Sequence, residues 1–264
     1  MELLMFSIAT FHVLLSFKFF TWLYNKMNWS VKNYKNKYVP YSIGVIFLWV
    51  IWIDMLFFSY FDVIFYSIPY LFVIWILGFI DDRYGKPYPK GLRGHFLLFI
   101  NEKVFSTGLL KAVGVIIISI YYTYHFHMPH VVSFIYLCLL ILFPHSMNLL
   151  DTKPLRVWKF SAVTILLPFI IYEINLFITL FSLCLFTFWF VYESRMKGML
   201  GDNGAMLIGG IGAIIAIEIF PISYIILLLA ICVFTTFMAE KVSIQAWLER
   251  TPIVRHFDQL GRAK

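Results

Sequence analysis

Charge is scarce in this chain. Only 13% of its 264 residues are Asp, Glu, Lys or Arg, against roughly a quarter in a soluble domain. With 61% hydrophobic residues and a mean hydropathy of +0.84, it has too little polar surface to cover a water-soluble globule. A soluble enzyme is therefore excluded. Disorder is excluded too, because it needs low hydrophobicity. Cysteine is equally sparse: Cys138, Cys184 and Cys232 each sit inside an apolar run, where they read as small core residues and not as a disulfide framework. No repeat, low-complexity tract or linker divides the chain, so residues 1–264 read as one integral membrane domain.

What the chain has in plenty is long apolar runs, at about 3–24, 41–58, 63–80, 108–124, 131–147, 161–172, 174–192, 205–220 and 222–239. A helical crossing takes about 20 residues, with roughly 17 as a lower limit. Lipid offers no partner for open backbone groups, so the fold class is all-α, a polytopic transmembrane bundle of about nine spans. The run 161–172 is short. It must extend into its flanks or form a helical hairpin with 174–192. The first run lacks a basic start and a small-residue cleavage site, and reads as a retained helix.

Charge placement orients the bundle. Lys26, Lys32, Lys35 and Lys37 lie in the first loop, Arg83, Lys86, Lys90, Arg93 and Lys103 in the third, and Lys153, Arg156 and Lys159 in the fifth. Arg195 and Lys197 lie in the seventh, and Lys241, Arg250, Arg255, Arg262 and Lys264 in the tail. The alternate connections near 59–62, 125–130, 173 and 221 hold no Lys or Arg. The basic side is cytoplasmic, which puts the amino terminus outside and the carboxyl terminus inside. The net charge of +7 follows from this pattern and is not read as nucleic-acid binding.

Four segments on that inner side carry more than solubilising charge. Gly78-Phe79-Ile80-Asp81-Asp82-Arg83 places paired carboxylates at a span end, where acids can hold hydrated Mg²⁺ or act as base or nucleophile; a solvated helix end is the plainer alternative. Gly201-Asp202-Asn203-Gly204 opens an apolar helix, with Asp202 either its cap or a metal ligand. Asn148 and Asp151 close another span and share one face if that helix continues. Thr251 to Asp258 carries His256 beside Arg255, a pairing suited to phosphate. Gly209, Gly210 and Gly212 suggest close helix packing. His125, His127 and His130 read as an incidental polar loop on the other side.

The order of these segments resembles the polyprenyl-phosphate N-acetylhexosamine-1-phosphate transferases, the family of the phospho-N-acetylmuramoyl-pentapeptide translocase and of the enzymes that load N-acetylglucosamine-1-phosphate onto undecaprenyl phosphate. The likeness runs from about Lys35 to Gly261. Val39-Pro40-Tyr41-Ser42-Ile43-Gly44 looks like the family's Thr-Pro-x-x-Gly-Gly, with Val45 at the last glycine. Gly78 to Asp82 resembles Gly-x-x-Asp-Asp, and Lys90 to His95 resembles Lys-x-x-x-x-Gln with His95 at the Gln. Asn148 and Asp151 match the start of Asn-x-x-Asp-Gly-x-Asp-Gly, but Thr152, Pro154 and Leu155 follow where the family has Gly, Asp and Gly. Gly201 to Gly204 matches Gly-Asp-x-Gly, and Thr251 to Asp258 keeps one of the three histidines of Thr-Pro-x-His-His-His-Phe-Glu.

The resemblance implies an enzyme that transfers a sugar-1-phosphate from a nucleotide-sugar, a UDP-N-acetylhexosamine in type, to a polyprenyl phosphate in a bacterial inner membrane. It implies Mg²⁺ on Asp202, with Mn²⁺ as a substitute, and catalytic roles for Asp81 and Asp82. Substrate contacts fall to Lys90, Arg93, Asn148, Asp151 and His256. Two rivals stand beside it: a transporter, which should carry ionisable residues in mid-span, and a catalytically reduced relative acting as a partner in envelope synthesis. A homodimer is allowed, but no residue speaks for it.

Overall fold

The structure is a computed structural model and describes residues 2–57, 67–86, 92–124, 129–241 and 251–262. It is mostly helical. In chain order come α1 (Glu2–Lys26), β1 (Ser30–Lys32), β2 (Tyr38–Pro40), α2 (Ile43–Phe57), α3 (Ile68–Tyr84), α4 (Leu92–Glu102), α5 (Thr107–Tyr124) and α6 (His130–Leu150). Then follow α7 (Arg156–Ser161), a π-helical turn (Ala162–Leu166), α8 (Leu167–Ile171), α9 (Leu176–Ser194), α10 (Gly201–Ile219), α11 (Ile222–Lys241) and α12 (Pro252–Gln259).

Six of these helices are long and apolar enough to cross a membrane: α1, α5, α6, α9, α10 and α11. The run 161–172 takes both of the routes open to it. Its helix starts at Arg156, passes through the π turn, and ends at Ile171. The chain then reverses through Glu173, at φ 51°, into α9, whose first turn is capped by Asn175 Oδ1 accepting from the Phe177 amide at 2.8 Å.

One short feature departs from an all-α reading. β1 and β2 pair antiparallel, Ser30 opposite Pro40. Val31 and Val39 favour extended backbone. Asn33 Oδ1 closes the turn by accepting from the Lys35 and Lys37 amides at 2.9 and 3.0 Å. The hairpin falls between apolar runs, where periodicity gives no signal.

The bundle is built around α10. It is buried from Asn203 to Ile217 and packs on α3, α6 and α2. By contrast, α1, α5 and α11 bury only about a fifth of their length, as lipid-facing helices do. Small residues let α10 sit so deep. A Cβ on Gly209 would meet the Pro144 Cα of α6 at 2.5 Å. Across the same core the Tyr70 hydroxyl donates to the Leu140 carbonyl at 2.7 Å, tying α3 to α6.

Candidate functional site

At one end of the bundle the chain brings three of the sequence motifs together. The stretch Pro40–Ile43 runs against the lead-in to α10: the Met199 amide donates to the Pro40 carbonyl at 2.9 Å and the Ile43 amide to the Met199 carbonyl at 3.3 Å. Gly201 then turns the chain with φ +66°, a conformation that favours glycine. The turn aims the first amides of α10 at the end of α3. Asp82 receives them: Oδ1 accepts from the Asp202 amide at 2.9 Å, and Oδ2 from the Asn203 amide at 2.9 Å and from Asn203 Nδ2 at 2.6 Å. Asp82 is thus the N-terminal cap of α10, supplied by another helix. Its charge lies against the positive end of the helix dipole.

This frees Asp202. It sits in the first turn of α10, but no side chain caps that turn from within. Its Oδ2 instead meets Lys111 Nζ, which also donates to Asp81 Oδ2 at 2.6 Å. Lys111 belongs to the first turns of α5. Asp81 and Asp202, on α3 and α10, therefore converge on one ammonium on a third helix. The side chains of Asp81 and Lys111 are 20% and 14% exposed, that of Asp202 34%, so this is the solvent-facing edge of the cluster.

Lys111 was not singled out in the sequence. It lies inside the apolar run 108–124, where a lone lysine reads as a snorkelling side chain. Its signal was available: it is the only Lys or Arg in the run, one helical turn from its edge.

Asp151 falls in a cavity of about 150 Å³, which it lines with Lys32, Thr152, Lys153 and Glu193; Asn148 is not among the lining residues. The helix carrying Asn148 stops at Leu150, so the two residues do not share a continuous face. Asn148 Oδ1 is buried without a hydrogen-bond partner. Burial first, then the negative charges of Glu193, Asp202 and Asp82, push the Asp151 carboxyl well above the usual carboxylate range. The cavity and the acid cluster thus share one electrostatic field.

The remaining candidates are more scattered. Lys90 lies outside the described residues, as does the side chain of Arg93, whose backbone is in α4. His125 and His127 also lie outside them, and His130 begins α6. His256 is exposed on α12.

The segment that bears His256 is strapped down. Asp258 accepts from Arg156 Nε at 2.8 Å and Nη2 at 3.0 Å, and from Arg262 Nη2 at 2.5 Å. Lys159 Nζ donates to the carbonyls of Phe257 and Asp258 at 2.7 and 2.8 Å, and Arg262 Nε to that of Pro154 at 3.1 Å. Burial raises the Asp258 carboxyl, but the hydrogen bonds and charges of Arg156 and Arg262 outweigh it and hold the group below its usual range. Burial, then the nearby guanidinium of Arg262, lowers Lys159 to about 8.

Asp258→Asn leaves two guanidinium groups facing a neutral amide. Breaking such a buried pair costs about 3 kcal/mol. Trypsin should then cut at Arg255 at least tenfold faster; an unchanged rate would refute the strap. The native protein should loosen in the same way in acid. A depressed carboxylate stabilises fully above its unfolded value, near 4, and loses that contribution as pH falls through its folded value.

Among the described residues no group of three or more His, Cys, Asp or Glu side chains is placed to hold a metal. Asp82 does not join its neighbours, because its oxygens accept from the Asp202 and Asn203 amides and from Asn203 Nδ2. Two carboxylates remain, Asp81 and Asp202, aimed at a single point already able to hold a cation. Mg²⁺ commonly binds through one or two carboxylates and completes its shell with water and phosphate oxygens, so the residues fit it. The charge balance fits as well. Two carboxylates face one ammonium, so the acids outnumber the bases at that point. Scans of family models, curated proteins and solved structures return no match to this chain.

Proposed function

We propose that the chain is a Mg²⁺-dependent transferase that moves a sugar-1-phosphate from a nucleotide-sugar, a UDP-N-acetylhexosamine in type, to a polyprenyl phosphate at the inner face of a bacterial cell membrane. The bundle crosses the membrane nine times in this reading, with the amino terminus outside and the carboxyl terminus inside. The observation that carries it is the meeting of Asp81 and Asp202, from helices far apart in sequence, at one cationic point at the end of a lipid-embedded bundle. A transporter would instead keep its ionisable residues in mid-span, within broken helices.

Bound between Asp81 and Asp202, Mg²⁺ would neutralise the donor diphosphate and polarise the phosphoryl group under attack. The protein's own part is positioning. Asp82 fixes the turn that presents Asp202. Asp81 would orient the lipid phosphate through the ion it holds; that monoester is largely ionised at neutral pH, so proton removal contributes little. Lys111, with Lys90 and Arg93 from the flanking segment, offsets phosphate charge. The Asp151 cavity suits the donor's nucleoside, Asn148 three residues before it adds an acceptor in this reading, and His256 on its strap suits a phosphate.

The test is release of nucleoside monophosphate from a panel of nucleotide-sugars, with undecaprenyl phosphate as acceptor and Mg²⁺ present. Activity should fall at least a thousandfold, about 4 kcal/mol, in Asp202→Asn and in Asp81→Asn, each still monodisperse in detergent. Silence of the native protein across the whole panel would favour a catalytically reduced partner protein.

A further inference from the structure

Lys111 sits where a divalent cation would bind. Its ammonium takes one oxygen from each of the two carboxylates that converge, Asp81 Oδ2 at 2.6 Å and Asp202 Oδ2. A metal ion drawing on that same convergent pair would need those oxygens at about 2.0–2.1 Å. An ammonium and a dication cannot share the spot, both for want of space and because they repel. The exchange is sterically easy. Lysine carries its charge on a flexible four-carbon stem, and the Asp202 carboxylate it would leave is the most exposed of the three groups, at 34%. The two acids are held in place by other means: Asp202 by the Asp82 clamp on its backbone, and Asp81 by the helix that ends with the Gly85 amide bonding its carbonyl at 2.8 Å. The backbones that carry the two acids can therefore keep their places when the lysine leaves.

We propose that Lys111 is a built-in counter-cation that divalent metal displaces, so that metal entry frees an ammonium at the site for a phosphate-bearing ligand. In the metal-free protein the lysine keeps two converging carboxylates from repelling each other. With metal present the same lysine becomes an anion contact. Metal and phosphate binding are thereby coupled through one side chain. This rests on the metal-binding part of the proposed function, and needs neither the sugar nor the lipid.

Two measurements test it, both on the full-length protein in detergent. Manganese binding is read by electron paramagnetic resonance for the native protein, Lys111→Met and Asp202→Asn. Removing the competing ammonium should tighten Mn²⁺ at least tenfold, and Asp202→Asn should lose it. Mn²⁺ bound equally or more weakly by Lys111→Met would overturn the exchange alone. No binding by any of the three would overturn the metal site as well.

The second measurement needs no variant, in case Lys111→Met does not fold. Acetic anhydride labelling of the native protein is read by peptide mass spectrometry with and without Mn²⁺. Acetylation of Lys111 should rise severalfold with metal while Lys197 stays constant as the internal reference. A fall, or no change, in Lys111 labelling under conditions where Mn²⁺ is bound would overturn the proposal.

Discussion

Asp82→Ala should melt well below the native protein in detergent, and further below it than Asp81→Ala. The two acids are neighbours in sequence and opposites in role. Asp82 satisfies the Asp202 and Asn203 amides at the head of the axial helix and the side-chain amide of Asn203, at 2.6–2.9 Å. Truncating it strands those donors, and each buried donor left without a partner costs about 1–3 kcal/mol. Not all of that is realised, because water can reach the edge of the site, so a loss of about 3 kcal/mol is expected. Asp81→Ala leaves Lys111 still paired with Asp202 and strands no backbone group. Thermal unfolding followed by tryptophan fluorescence compares the two. Equal midpoints would refute the clamp. Loss of activity in an Asp82 variant is thus no proof that Asp82 does chemistry unless the variant is shown to be folded.

Gly78→Ala should disable the site while most of the protein stays folded. A Cβ on Gly78 would lie 2.5 Å from the Asn203 Cα and 2.6 Å from its amide nitrogen. These are backbone atoms, so no rotamer change relieves the clash, and α3 and α10 must part. Overpacking of this kind costs about 1–3 kcal/mol. The functional cost is larger, because Asp81 rides on one helix and Asp202 on the other. A shift near 1 Å at a reacting centre is worth about a hundredfold in rate, and a drop of that order is expected in transfer and in Mn²⁺ affinity. Gly198→Ala is the control: its nearest neighbour would be the Ser42 hydroxyl at 3.3 Å, a side chain that can yield. If Gly78→Ala retains native metal affinity, the close approach of the two helices does not set the site.

These contrasts mark where sequence reasoning reaches its limit. Apolar runs locate the helices because lipid punishes any other backbone, and the glycines at 209, 210 and 212 announce close packing for the same reason. The acids at 81, 82 and 202 stand out because each sits beside such a run. Their division of labour is invisible on paper. Adjacent residues on a helix point about 100° apart, so only the rotational setting of α3 decides that Asp82 faces the amides of α10 and Asp81 faces Lys111. Lys111 itself hides in an apolar run, and its meaning comes from partners 30 and 91 residues away. The strap around Asp258 is equally long-range, since its first arginine lies 102 residues upstream.

The axial helix has a consequence for how the molecule sits in different hosts. Bilayers vary in thickness by a few ångströms, and embedded helices answer by tilting. Here α1, α5 and α11 are the least buried of the long helices, while the one bearing Asp202 is shielded by protein from Asn203 to Ile217. The outer helices can lean like barrel staves around that spindle, so a change of membrane thickness would reach the site through Asp81 and Lys111, which ride on the staves, before it reached Asp202.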